Sequence, residues 1–149
     1  MVAYLLEKKE SEDAKKYGYE EIEPAAGNSW AIREAAGNGR TNMVMYLLEK
    51  KESEGAEKYG YDKIDPAAGD NEAIIKASGN GHIKVVKILL EKKEDDTDNK
   101  FGYGNIDPAA RNNEGPKRAR RDGHVELIGF LRGKKEARPD LYEALVLDW

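Results

Sequence analysis

Val44, Leu47 and Leu48 stand at i, i+3 and i+4, and Val86, Leu89 and Leu90 repeat the spacing. An apolar triplet so placed lines one side of a helix. A shorter helical stretch precedes each: Trp30 to Ala36, with Ile32 and Ala35 inward, and Glu72 to Ser78, with Ile74 and Ala77 inward. Asn38-Gly39 and Asn80-Gly81 separate the paired stretches. An Asn-Gly pair can turn a β-hairpin, but flanks of helical period make it a helix stop in the left-handed region. Each unit therefore reads as helix, tight turn, longer helix, loop. In the loop, Pro66 removes a backbone donor and discourages helix at Asp65. Gly69-Asp70-Asn71 suits a turn that ends in an N-cap for the next helix. Tyr59-Gly60-Tyr61, followed by Ile64, predicts a small aromatic cluster that anchors an otherwise long polar connection.

These elements recur. Pro24, Pro66 and Pro108 are evenly spaced along the chain, and each is followed by Ala-Ala. Asn38-Gly39-Arg40, Asn80-Gly81-His82 and Asp122-Gly123-His124 keep the interval, as do Tyr17-Gly18-Tyr19, Tyr59-Gly60-Tyr61 and Phe101-Gly102-Tyr103. The stretch Tyr46 to Glu52 repeats Tyr4 to Glu10 letter for letter. The chain divides into an N-terminal half repeat (1–22), repeats over 23–64 and 65–106, an atypical terminal repeat (107–138) and a C-terminal cap helix (139–149). A two-helix unit cannot bury both helices alone, so stacked neighbours must close the core.

Composition removes several classes of function. With no cysteine among 149 residues, disulfide scaffolds, thiolate metal sites and cysteine nucleophiles are excluded. A net charge of -4, from 25 basic and 29 acidic residues interspersed, gives no chain-wide pull toward nucleic acid or an anionic membrane. No apolar run approaches the roughly 18–20 residues of a membrane span, and the first ten residues do not resemble a signal peptide.

The string Asp65-Pro66-Ala67-Ala68, polar turn residues, Asn71-Glu72-Ala73-Ile74, Ala77-Ser78, Gly81-His82, Val85-Val86 and Leu89-Leu90 resembles the ankyrin repeat. The resemblance extends from Met1 to about Lys135 and implies an all-α, ankyrin-type helix-turn-helix solenoid with long inter-repeat loops. Two features depart from it. The period of 42 exceeds the family's unit of about 33 residues, the excess lying between Glu52 and Ile64 and in its equivalents. In the third unit Gly115-Pro116 replaces Ala73-Ile74 and Arg120 replaces Ser78, which is expected to weaken that first helix.

Catalytic chemistry finds no foothold. The two histidines, His82 and His124, share one phase of the repeat where the first unit has Arg40, so they are expected to hold a turn. Ser/His/Asp groupings and phosphate-binding glycine strings are absent. Asp95 to Asn99 is acidic enough to suggest calcium, but an EF-hand string starting at Asp96 would place Phe101 and Asp107 where Gly and Glu are required. It reads as a solvated acidic loop, as Glu49 to Glu57 reads as a solvated mixed-charge segment. Neither a cofactor nor a metal is expected, and the chain reads as non-enzymatic.

What remains is recognition. Positions constant between units are explained by the fold, whereas positions that vary are free to carry specificity. Ankyrin proteins bind through loop tips and the concave face of the first helices. On that resemblance the partner-binding candidates are Asn28, Trp30, Arg33 and Glu34, then Asp70, Glu72, Ile75 and Lys76, then Arg111, Asn112, Glu114, Lys117 and Arg120. Trp30, whose equivalents are Glu72 and Glu114, is expected to face solvent beside Arg33, a composition typical of interface hot spots. The basic cluster Lys117-Arg118-Arg120-Arg121 suits an acidic protein segment better than nucleic acid, because Arg33-Glu34 and Ile75-Lys76 do not continue a basic stripe. The expected role is an adaptor-like protein-protein interaction module in the cytoplasm, its partner another protein. Weak self-association through the N-terminal half repeat is an alternative. An engineered ankyrin-like binder is another, against which Gly115-Pro116 breaks the uniform framework such arrays keep.

Overall fold

The computed structural model describes residues 2–10 and 23–148. The expectations resting on Tyr17, Gly18, Tyr19, Trp149 and the side chain of Val2 lie outside the described residues. In chain order the helices are α1 (Val2–Lys9), α2 (Ala26–Gly37), α3 (Thr41–Glu52), α4 (Ala56–Tyr59) and α5 (Ala68–Gly79). They continue with α6 (Ile83–Asp95), α7 (Ala110–Arg121), α8 (Val125–Ala137) and α9 (Pro139–Tyr142). Two 3-10 turns, Tyr61–Lys63 and Tyr103–Asn105, lie in the connections, and no strand occurs among the described residues.

Helices α2, α5 and α7 pack side by side, each also against the longer helix that follows it, and α3 packs on α6. The apolar triplets point into the seam. Val44, Leu47, Leu48, Val86, Leu89, Leu90 and Leu131 are wholly buried, and each such side chain contributes about 1.5–3 kcal/mol relative to exposure. The helix stops form as expected, with Gly39, Gly81 and Gly123 at φ of 69, 78 and 79°. The amides of Arg40, His82 and His124 donate back to Ala35, Ala77 and Ala119 at 2.8–2.9 Å, closing the helix ends.

The start of each first helix departs from expectation. Gly27, Asn28 and Ser29 all have positive φ (62, 56 and 59°), as do Gly69-Asp70-Asn71 and Arg111-Asn112-Asn113. Three consecutive left-handed residues make a tight counter-turn, and no side chain caps the helix. Asn and Asp tolerate this region better than most residues. The freed side chains face the neighbouring unit instead. Ser29 Oγ accepts from the Asp65 amide at 2.8 Å, and Asn71 Oδ1 accepts from the Asp107 amide at 2.8 Å.

The long connections are strapped to the helices. Tyr61 and Ile64, then Tyr103 and Ile106, are buried, and the aromatic pairs Tyr59–Tyr61 and Phe101–Tyr103 lie 6.4 and 5.6 Å apart, forming the expected clusters. Lys51 Nζ donates to the Asp62 carbonyl at 2.9 Å and Lys93 Nζ to that of Gly104 at 2.7 Å. Lys51 is thus buried rather than solvated, and burial pulls both ammonium groups below the usual lysine range. Asp96 is also buried. Its Oδ2 accepts from the Phe101 and Tyr103 amides, each at 3.0 Å, which corrects its placement in a solvated loop.

Helix α7 survives its proline. Because residues 111–113 are left-handed, the right-handed helix begins at Glu114 and Pro116 falls in its first turn. Amides there have no intrahelical acceptor, so a missing donor costs little. The cap helix expected over 139–149 is shorter: α9 ends at Tyr142. Tyr142 and Leu145 are buried, and the Leu145 amide donates to Tyr142 at 3.0 Å, as that of Ile106 does to Tyr103. Asn113 Oδ1 accepts from Val146 at 2.9 Å. Residues 142–147 therefore dock on the third unit as an inter-repeat loop would.

Candidate interaction surface

The first helices and their counter-turns carry most of the candidate residues on a fixed scaffold. Asn28, Asp70 and Asn112 occupy the middle position of the three counter-turns, with nearly the same backbone angles and exposed side chains. Trp30 is 53% exposed at the first unit, as its polar equivalents suggested.

Other candidates are engaged between units. Arg33 donates through Nε to the Asn28 carbonyl at 2.9 Å and through Nη2 to that of Gly27 at 2.8 Å, and it pairs with Glu72 of the next unit. Lys76 Nζ lies 3.2 Å from Glu72 and 3.7 Å from Glu34. The Arg33 guanidinium, then Lys76, hold the Glu72 carboxyl below the usual glutamate range. Arg111 donates to the Gly69 carbonyl, with Asp70 at 3.6 Å and Glu114 at 3.7 Å, and Arg118 pairs with Glu114 at 2.6 Å. Variation at these positions therefore includes side chains that join one unit to the next.

Ile75 does not belong to this surface. It is 1% exposed, and a Cβ at Gly115 would lie 3.3 Å from its backbone, so it sits in the closest approach of α5 and α7. Gly115 facing Ile75 was the available signal. Arg120 is exposed, but it lines a separate hollow with His124, Ile128, Arg132 and Leu147 at the C-terminal end. Arg111, Asn112, Glu114 and Lys117 instead share a shallow depression with Arg118 and Arg121. Its charge is tempered by Glu114 on Arg118 and by Asp122 2.9 Å from Arg121.

Both histidines face the preceding turn, where a Cβ at Gly39 would lie 2.5 Å from His82 Nδ1 and one at Gly81 2.6 Å from His124 Nδ1. Sequence reasoning missed Ser29, Asn71 and Asn113, which latch successive units. Their shared phase in the repeat was the signal. No group of three or more acidic or histidine residues is arranged to hold a metal among the described residues. No described helix is long and apolar enough to cross a membrane. Comparison with family models, curated proteins and solved structures gives no match.

Proposed function

We propose that the chain is an ankyrin-like solenoid that acts as a non-enzymatic protein-protein interaction module. The observation that carries this reading is the row of exposed counter-turn tips. Asn28, Asp70 and Asn112 stand on one repeated backbone, the residue two positions on changes from Trp30 to Glu72 and Glu114, and Arg111 lies beside Asp70. Presenting different side chains from a rigid, repeated frame is how such a surface gains specificity without loss of stability. Trp30 at one end of the row and Lys117 at the other supply an aromatic anchor and a cation. Ile75, buried where α5 meets α7, is not available to a partner. Arg33, Glu72 and Lys76 support the surface by joining units. An acidic segment of another protein suits the Arg111–Lys117 end.

Affinity capture with the wild type beside a triple variant, Asn28→Gly, Asn112→Gly and Lys117→Ala, in which glycine keeps the left-handed backbone of the two tips, tests the reading, followed by calorimetry with the purified captured protein. The changes lie outside the core, so circular dichroism should be unchanged while binding weakens at least about tenfold. Equal binding by both proteins would place recognition on another face.

A further inference from the structure

Two arginines of the third unit stand where the inner units bury uncharged residues. Arg120 takes the place of Ala36 and Ser78, and Arg132 that of Leu48 and Leu90. All four equivalents are fully buried. Position 78 shows what the first of these places does inside the array, because a Cβ at Gly115 of the next unit would stand 3.1 Å from the Ser78 side chain. Arg120 and Arg132 are both exposed. A further repeat seated on this face would bury two guanidinium groups, which is costly unless each gains a buried partner. The residues of the face, rather than its place in the chain, close it to another unit.

Both arginines line one hollow of about 470 Å³, walled by Ile128, Leu147 and the ring of His124. Val125 lines it too and is 80% exposed, an apolar side chain left to solvent beside the cations. Arg132 Nη2 donates to the Leu147 carbonyl at 3.3 Å, which steadies the guanidinium while engaging one of its five N–H groups. Asp148 adds a carboxylate to the lining, and the two arginines outweigh it. The hollow is therefore positive in a chain whose net charge is -4.

Solvating an end face needs only polar groups of either charge. Two arginines beside apolar walls offer something narrower. The planar fork of a guanidinium matches the two oxygens of a carboxylate, and the walls can take the apolar group that carries it. Bare phosphate would leave Val125 and Ile128 uncovered. A long acyl chain needs an enclosure that this open hollow does not provide. The last residue of a peptide presents carboxylate and side chain together, while the rest of its backbone runs out into solvent.

We propose that this hollow binds the C-terminal carboxylate of a peptide that ends in an apolar residue such as leucine. It shares nothing with the counter-turn tips, Trp30 or Lys117, so this assignment and the one made above can fail separately.

The test follows the ring C–H signals of both histidines by NMR in the full chain during titration with acetyl-Gly-Gly-Leu bearing a free carboxylate. His124 lines the hollow, whereas His82 lies one unit away over Gly39. A saturable shift confined to His124 is expected. The C-terminal amide of the same peptide, acetyl-Gly-Gly-Gly and inorganic phosphate should each bind at least about tenfold more weakly. Arg120→Gln should weaken binding to a similar extent. Arg132→Lys keeps the charge and loses the fork, and it should weaken binding too, with circular dichroism unchanged. Arg121→Gln, outside the hollow, should leave binding as it is. The absence of a saturable shift at His124, equal binding of acid and amide, or equal binding of phosphate would overturn the proposal.

Discussion

The side-chain oxygen of Asn71 receives the backbone N–H of Asp107 at 2.8 Å, from a residue itself held at a φ of 67°. One residue thereby performs two tasks. It completes the left-handed counter-turn that starts its own helix, and it satisfies the amide of Asp107 at the start of the next unit. Asn71 is buried, so the donor would lose its partner away from bulk water if the side chain were cut. Asn71→Ala should therefore cost about 1–3 kcal/mol in urea unfolding. Ser29→Asn should instead be neutral or slightly stabilising, because Asn is favoured over Ser at positive φ and keeps an acceptor. A loss below about 0.5 kcal/mol for Asn71→Ala would mean that water replaces the contact.

Tyr61, Tyr103 and Tyr142, each buried where a connection docks on the helices, are predicted to respond differently to loss of the hydroxyl. Tyr103 Oη donates to Glu52 at 3.0 Å, and Tyr61 Oη to Glu10 at 3.2 Å. Tyr142 Oη is buried without a partner, although the equivalent carboxylate, Glu94, is paired with Lys134 just as Glu10 is with Lys50 and Glu52 with Lys92. Tyr103→Phe should cost about 1 kcal/mol, whereas Tyr142→Phe should be neutral or stabilising. Melting temperatures of the two variants decide it, and equal losses would refute the distinction.

Much of the helix pairing was legible because it is local. The Leu-Leu stripes fix the inward face and the Gly after Asn or Asp fixes the stop, and both recur with the same period. The counter-turn was not legible. A run of three left-handed residues is rare for non-glycine side chains, and Gly69-Asp70-Asn71 fits an ordinary capped turn equally well by composition. Lys51 was misread for a related reason: a lysine among glutamates looks solvated, yet it reaches a carbonyl 11 residues on. At the candidate surface, position 28 and its equivalents 70 and 112 carry Asn, Asp and Asn, and all three are exposed. Variation between units misled at Ile75, because position 75 packs against a residue of the next unit, Gly115.

Gly81 and Gly123 have nearly the same φ, 78 and 79°, but different surroundings. A Cβ at Gly81 would stand 2.6 Å from the ring of His124, whereas one at Gly123 meets nothing within 4 Å. Gly123→Ala should therefore lose only the backbone term, about 1 kcal/mol. Gly81→Ala adds displacement of the imidazole from the interface and should lose about 1–3 kcal/mol more. Denaturant midpoints measured at one slope give the difference directly. Equal losses would show that His124 moves aside freely.

The Arg33–Glu72 pair predicts the direction of an acid response. Glu72 is held below the usual glutamate range, first by the Arg33 hydrogen bond and then by Lys76. On lowering the pH, the unfolded chain takes up this proton before the folded one. The contribution is thus complete above the ordinary carboxylate pKa and lost as pH falls through the lower folded value. Glu72→Gln keeps an acceptor for Arg33 but has no proton to gain. Its stability at pH 7 should fall by about 0.5–1 kcal/mol, and its decline between pH 7 and 3 should be shallower than that of the wild type. Asp122 and Asp140, also depressed by arginine neighbours, titrate in both proteins and cancel in the comparison. Parallel curves from urea unfolding at each pH would mean that the pair between the first and second units does not contribute to acid sensitivity.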